Sequence, residues 1–263
     1  MLVAAGKFDW NAFSHYLLPP DGETWKALWA TLYIAVIAQV FGVIFGLFSA
    51  LGQLSKRRIL RFFSGIYVWV FRGTPVVVQI FFVFYVPSLF LGFDPFPRER
   101  VILGVTFPGA VLAGIVALAV NEGAYMSEIM RAGIRAVDPG QMEAALTVGM
   151  TRRLAMRRIV LPQAARIIVP PLGNEFNNML KTTSLLSFIG VNELFKDADI
   201  RYSATFKPTE YFIGVAFLYL GLTTGWTLIQ AQIERRLGAS DRDGEEPGFF
   251  RRLLGGGTLG KGH

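Results

Sequence analysis

Two charged side chains, Glu122 and Lys181, fall within segments of this chain read as lying in a membrane. A charge near the bilayer centre costs about 2.5–3.5 kcal/mol on insertion scales, so such residues face a cavity or a partner. Asn174, Asn178 and Lys181 recur at i, i+4, i+7 and draw one polar stripe. Thr182, Thr183 and Ser184 flank it. By the same rule Asn121, Tyr125 and Glu128 share a face, with Glu122 beside it. The chemistry open to these groups is recognition. Glu122 can accept from a cationic group. Lys181 and the hydroxyls of Thr182, Thr183 and Ser184 can donate to an anionic one. The alternative is a structural Glu122–Lys181 pair that ties two helices together and touches no ligand. Interhelical polar bonds average only about 0.6 kcal/mol, but an unpaired charge costs more, so pairing alone also accounts for both residues. Glu128 and Arg131 lie nearer the basic end of their segment and read as gate or structural residues.

Bond-making catalysis has no residues to work with. The chain has no cysteine, which excludes thiol chemistry and cysteine metal sites. Its histidines are His15 and His263, near the two ends, and no Ser/His/Asp set or metal set converges. Residues 255–261, GGGTLGK, fit GxxxxGK. Gly262, however, stands where a magnesium-holding Ser or Thr would be, and no strand precedes it. This stretch reads as a flexible tail, and the chain is expected not to hydrolyse ATP itself.

A third set of residues could do mechanical work. The polar, basic stretch Gln141 to Pro162 lies between strongly apolar segments. Glu143, Ala144, Ala145, Gly149, Ile159, Leu161 and Pro162 follow the spacing EAA-x3-G-x9-I-x-LP. Small alanines let a short helix press into a cleft, and Glu143 can cap or pair. Gly149 permits a left-handed turn, and the Arg cluster can meet an acidic surface. The spacing predicts a short surface helix, a turn at Gly149 and a second helix ending near Pro162. The bland alternative is a solvated loop of helix-forming composition.

The elements that position these groups follow from composition. Of 263 residues, 52% are hydrophobic and only 17% charged, with mean hydropathy +0.43. Soluble domains average about 25% charged. Long apolar runs and 23 phenylalanines indicate a single integral membrane domain. The net charge of +7 fits basic cytoplasmic loops better than nucleic acid. The start lacks a basic n-region followed by an apolar core, so the first span is expected to target the chain itself.

Residues 1–24 form an extracytoplasmic segment with a turn at Pro19-Pro20-Asp21-Gly22. Residues 25–235 form the membrane domain, with spans at about 25–54, 66–92, 101–130, 171–190 and 208–232. The first is read as apolar throughout. Its Gly42-x-x-x-Gly46 is read as ordinary intrachain packing, and Trp25 and Trp29 as interfacial anchors. Gly73, Thr74 and Pro75 break the second, since Pro75 has no amide donor and biases Thr74 away from helical angles. Hydropathy alone rejects 171–190 as a span. Without it, the basic clusters would fall on both sides of the membrane. With it they all lie inside, as the positive-inside rule requires. The fold is therefore all-α with five spans, N-out and C-in. A cytoplasmic loop at about 138–162 joins spans three and four, and a mobile cytoplasmic tail occupies 236–263.

The loop pattern resembles the cytoplasmic signature of bacterial ABC importer permeases of the methionine-permease-like (type I) fold, and the likeness extends over roughly 25–235. Phe71-Arg72-Gly73-Thr74-Pro75 with Gln79-Ile80-Phe81-Phe82 is similar to the polar amino acid branch. So are Ala124-Tyr125, Glu128-Ile129, Arg131-Ala132-Gly133-Ile134, Gly140-Gln141 and Lys181 to Ser187. The resemblance implies a multi-pass subunit of the bacterial inner membrane and a transport subunit rather than an enzyme. It implies a second permease, identical or related, with two ABC ATPases that carry ATP and magnesium. It also implies an extracytoplasmic amino-acid-binding protein and amino acid uptake by alternating access. The loop at 138–162 would then be the coupling element. On the residues' own chemistry Glu122, Tyr125, Asn174, Asn178, Lys181, Thr182 and Ser184 are the candidates to line the substrate pathway, and Glu122, which is not part of the resemblance, is the candidate acceptor for the ammonium of a zwitterion. Gly73, Thr74 and Pro75 would act as kink or gate. No cofactor, metal or nucleic acid is implied for this chain. A type I permease for another small solute is the runner-up. An ion-coupled secondary transporter would show paired inverted repeats, and no motif here occurs twice.

Overall fold

The computed structural model describes residues 8–18, 20–90, 92–102 and 104–238. The GxxxxGK stretch, and nearly all of the tail expected at 236–263, lie outside them. The chain enters through a helix within the segment read only as mixed, Trp10–Leu17 (α1). Asp9 caps it, its Oδ1 accepting the amides of Asn11 and Ala12 at 3.0 and 3.1 Å, a contribution of about 1 kcal/mol. Tyr16 of α1 is buried against Ala27, Leu194, Ala198 and Val215, which ties the segment down.

The first apolar run becomes Gly22–Leu54 (α2), capped by Asp21, whose Oδ1 accepts the Thr24 amide at 2.9 Å. After the basic turn come Arg58–Gly73 (α3) and Val76–Phe90 (α4), bent from one another by 107°. The span read as 66–92 is therefore two helices, with its break at Thr74–Pro75. The span read as 101–130 also needs correction. Glu99–Ile102 (β1) and Val105–Pro108 (β2) pair antiparallel in the register Arg100 to Phe107, and the helix begins only at Gly109–Arg135 (α5). Val101, Ile102, Val105 and Thr106 are β-branched and suit a strand, and the chain turns back at Gly104. This hairpin is the exception to an all-α fold among the described residues.

Pro139–Thr147 (α6) and Arg152–Ala155 (α7) follow, then a π-turn at Met156–Val160 and Leu161–Thr182 (α8). The second loop helix does not end near Pro162. It runs on into α8, with Pro162 in the first turn, where its missing N–H is tolerated. The π-turn ahead of it, closed by Leu161 N–H on the Met156 carbonyl, makes room for the ring. A 3-10 segment at Thr183–Ile189, Leu194–Thr205 (α9) and Pro208–Leu237 (α10) complete the chain. The segment read as a span at 171–190 is thus the second half of α8 and the 3-10 segment.

Among the described residues, α2, α5 and α10 are each long and apolar enough to cross a membrane, and the bent α3–α4 pair is apolar enough to make a fourth if it counts as one span. α2 and α5 run side by side as the axis of the bundle. A β-carbon at Gly42 would lie 2.6 Å from Glu122 Cγ, and one at Gly46 would run into Met126 Cβ. Gly42 and Gly46 therefore let α5 approach α2 within the same chain. Ile34, Leu118, Met179, Leu180 and Leu186 join α2, α5, α8 and the 3-10 segment in the main core.

Candidate functional site

The loop between α5 and α8 is an elbow whose residues are mostly exposed. Asp138 caps α6, accepting the Gly140 amide at 2.8 Å, and Pro139 occupies the first turn. At its far end Gly149 has φ +87°. Gly149 N–H donates to the Leu146 carbonyl and Met150 N–H to the Ala145 carbonyl, both at 3.0 Å, which is the Schellman closure. Ala145 is the buried side of α6, while Glu143, Ala144, Leu146, Thr147 and Val148 are exposed. α7 and the π-turn add Arg152, Arg153, Arg157 and Arg158, all exposed. Below the elbow Val137, Val160 and Ala164 form its own small core. Ile159 is half-buried, whereas Leu161 and Pro162 are exposed.

The break at Thr74–Pro75 is braced by groups that replace the missing helical bonds. Pro75 cannot donate to the Phe71 carbonyl. Gln79 Nε2 does so at 3.0 Å and Asn121 Nδ2 at 3.1 Å. Gln79 Nε2 also reaches Thr74 Oγ1 at 2.8 Å, while Asn121 Nδ2 donates to Gln79 Oε1 at 3.0 Å. Inside a bilayer no water can serve these carbonyls, so side chains must. Just beyond, Arg72 lies over the Tyr125 ring at 5.2 Å and 3.8 Å from Glu128, which also pairs with Arg131. Asn121, Tyr125 and Glu128 thus do share a face, turned to the bend.

Glu122 faces elsewhere. It is 5% exposed, between α2 and α5, and accepts from Gln39 Nε2 at 3.0 Å. No Glu122–Lys181 ion pair exists among the described residues, so the cross-link weighed from the sequence is not made. Gln39 is the residue the sequence reading missed, an amide in the middle of a run read as apolar throughout, where the other, Gln53, stands at the run's end. Its central place among apolar residues was the available signal.

The stripe on α8 is real as a surface. Asn174, Asn178 and Lys181 are all exposed. Asn174 Oδ1 accepts from Gln230 Nε2 at 3.3 Å. The neighbouring hydroxyls are turned inward on their own helix. Thr182 donates to the Asn178 carbonyl at 2.9 Å, Thr183 to Leu180 at 2.9 Å and Ser184 to Lys181 at 2.7 Å. They finish the end of α8 as its pitch tightens to 3-10.

At the opposite end from the elbow lies a network the sequence reading did not foresee. Arg201 of α9 donates to Asp21 Oδ1 at 2.8 Å, to Thr24 Oγ1 at 3.1 Å and to Asp197 Oδ2 at 3.2 Å, and lies over the Tyr16 ring. Glu193 accepts the Phe195 and Lys196 amides at 3.0 and 2.9 Å and the Tyr219 hydroxyl at 2.6 Å. These residues are scattered over α1, α2, α9 and α10, so no local spacing announces them.

A parallel α2–α5 axis, a bent α3–α4 pair and an exposed elbow are the geometry of this chain, and comparison with known proteins says what it resembles. Residues 42–239 match the family described as "Binding-protein-dependent transport system inner membrane component". The chain belongs to that family and is a multi-pass inner-membrane protein. It is 39% identical over 212 residues to the L-cystine transport system permease protein TcyB of Bacillus subtilis (strain 168), covering 80% of this chain and 84% of that one. It is 36% identical to the arginine transport system permease protein ArgU of Corynebacterium glutamicum, covering 87% and 72%. The solved structure of an amino acid ABC transporter with histidines superimposes with TM-score 0.75 at 37% identity, covering 90% of this chain and 100% of that one. The MetNI methionine transporter in an inward-facing form, at 17% identity and TM-score 0.66 over 82% and 96% of the chains, shares the fold.

Proposed function

We propose that this chain is the membrane-spanning half of an ATP-driven importer of amino acids, with polar or charged amino acids as its cargo. In this reading residues 25–235 cross the bilayer five times, N-out and C-in. The bent α3–α4 pair supplies the second crossing, and α8 with its 3-10 end supplies the fourth. A second permease, identical or related, completes the pathway. Two ABC ATPases hold the ATP and magnesium, and this chain hydrolyses none. A binding protein delivers the amino acid to the α9 end.

The observation that carries the reading is the elbow. Its outward face combines Glu143 and four arginines with small Ala144, and none of these charges meets an opposite one among the described residues. A face of that kind suits a cleft on a partner. α6 sits directly after α5, and α7 passes through the π-turn into α8, so a push on the elbow moves both helices together. The bend at Gly73, Thr74 and Pro75, held by Gln79 and Asn121, is the proposed gate element. The substrate path follows Asn174, Asn178 and Lys181, with Thr182 and Ser184 at its end and Tyr125 near the bend. Glu122 acts from behind that path, setting α5 against α2.

Reconstitution of the chain with its ATPases and binding protein tests this. ATP-dependent uptake of an amino acid, lost when the ATPase is withheld, is the expected result. Uptake at full rate without the ATPase overturns it. Uptake of a different class of small solute overturns the cargo and leaves the energy source standing.

A further inference from the structure

α3 buries none of its residues. Ile59, Phe62, Phe63 and Trp69 are 70%, 62%, 64% and 76% exposed. Four cations open the helix, Lys56, Arg57, Arg58 and Arg61, and none pairs with a carboxylate among the described residues. Arg58 and Arg61 stand at i, i+3 and so share one face. Two clefts meet at Phe63. One, of about 490 Å³, lies between Arg58, Arg61 and the side chains of Ile59, Phe62 and Phe63. The other, of about 410 Å³, continues between α2 and α3 along Phe45, Phe48, Phe63, Tyr67 and Val120. The first is cationic at its mouth, and the second is mainly apolar, with Ser49 and Ser64 also in its wall.

We infer that these joined clefts hold an anionic phospholipid, its phosphate on Arg58 and Arg61 and one acyl chain running past Phe63 toward Phe45 and Phe48. Guanidinium groups offer phosphate paired, fork-like donors. Basic residues beside a span attract anionic head groups, and the cations here sit where α2 ends. The division of the surface is that of a lipid, charge at one end and hydrocarbon along the rest. Apolar side chains left this exposed on a bilayer helix need only acyl chains to cover them, whereas four unpaired cations need anions. The inference requires only that α2 and α3 lie in a bilayer. It does not depend on the cargo or on the direction of transport.

Native mass spectrometry of the assembled transporter decides it, after release from nanodiscs of equal phosphatidylglycerol and phosphatidylcholine. The retained lipid should be enriched roughly tenfold in phosphatidylglycerol. Arg58→Gln with Arg61→Gln should bring it near parity, and Arg98→Gln with Arg100→Gln should leave it unchanged. Because the chain has no cysteine, Phe48→Cys carrying bimane is a single reporter of the groove. Phosphatidylglycerol brominated on its acyl chains should quench it more than the brominated choline lipid does. Should the glutamine pair fail to assemble, this quenching in the otherwise unaltered chain decides alone. Equal retention of the two lipids, or displacement by excess inorganic phosphate, overturns the inference. So does a disulfide between Phe48→Cys residues of two copies in the unlabelled variant together with no quenching in the labelled one, which would mean that a second copy covers the groove.

Discussion

At the α9 end, charges are answered within the chain: Arg201 by Asp21 and Asp197, Lys207 by Asp9, Lys196 by Asp199, and Glu193 by Tyr219 and two amides. At the elbow, Glu143, Arg152, Arg153, Arg157 and Arg158 meet no opposite charge among the described residues. Ion pairs at a surface contribute little each, but a network that joins four helices at one end fixes how they sit. Open charges fix nothing inside the chain and are free for another surface. The contrast separates an end that holds itself together from an end built to be held.

Gly149→Val should break the second end most completely. A β-branched residue at φ +87° costs about 1–3 kcal/mol and opens the Schellman closure. Coupled uptake should fall more than about tenfold, while membrane insertion is unchanged. Normal uptake with the partner ATPase would remove the elbow from coupling. Glu143→Lys reverses a charge that no residue of the described chain uses. The chain's own melting temperature should hold, and ATPase retention on purification should drop several-fold. A loss of stability instead would make Glu143 a structural residue.

The first end should show the opposite pattern. Arg201→Gln leaves Asp197 without its charged partner, a loss of about 1.5–3 kcal/mol for hydrogen bonds to a charged group. The melting temperature of the purified protein should fall by roughly 5 °C, with ATPase retention intact.

Glu122→Gln is a subtler probe. Gln39 Oε1 is buried without a partner, and an amide at 122 could donate to it while still accepting from Gln39 Nε2. The melting temperature should rise by about 2–4 °C, with unchanged amino acid preference. A changed preference would instead return Glu122 to the substrate path.

The smallest effect concerns pH. The Lys207 ammonium bonded to Asp9 holds that carboxyl below its usual value. A depressed carboxyl stabilises the fold above its unfolded value and loses that contribution as pH falls through the folded one. Below about pH 4 α1 should loosen from α10, seen as a change in Trp10 fluorescence that Lys207→Gln abolishes.

Much of this was legible in the residues. The spacing from Glu143 to Pro162 located the elbow, and Pro75 located the bend, because both rest on local backbone rules. The stripe Asn174, Asn178, Lys181 was also readable, since helical periodicity alone puts those residues on one face. Boundaries fared worse: 101–108 is apolar enough for a span, yet its β-branched residues pair as a hairpin. Pro162 was read as a stop, whereas a π-turn lets the helix carry on.

The amino-acid sequence by itself determined that the chain is a membrane protein, where its basic loop lies and which family it joins, because hydropathy, charge asymmetry and motif spacing are local properties. Only the tertiary structure decided what Glu122 touches, since a helix face is set by its neighbours: Gly42 brings α2 close enough for Gln39 to take that carboxylate. It also decided that α1, α2, α9 and α10 share one charged network, because residues as distant as Asp21 and Arg201 meet only once the helices have packed.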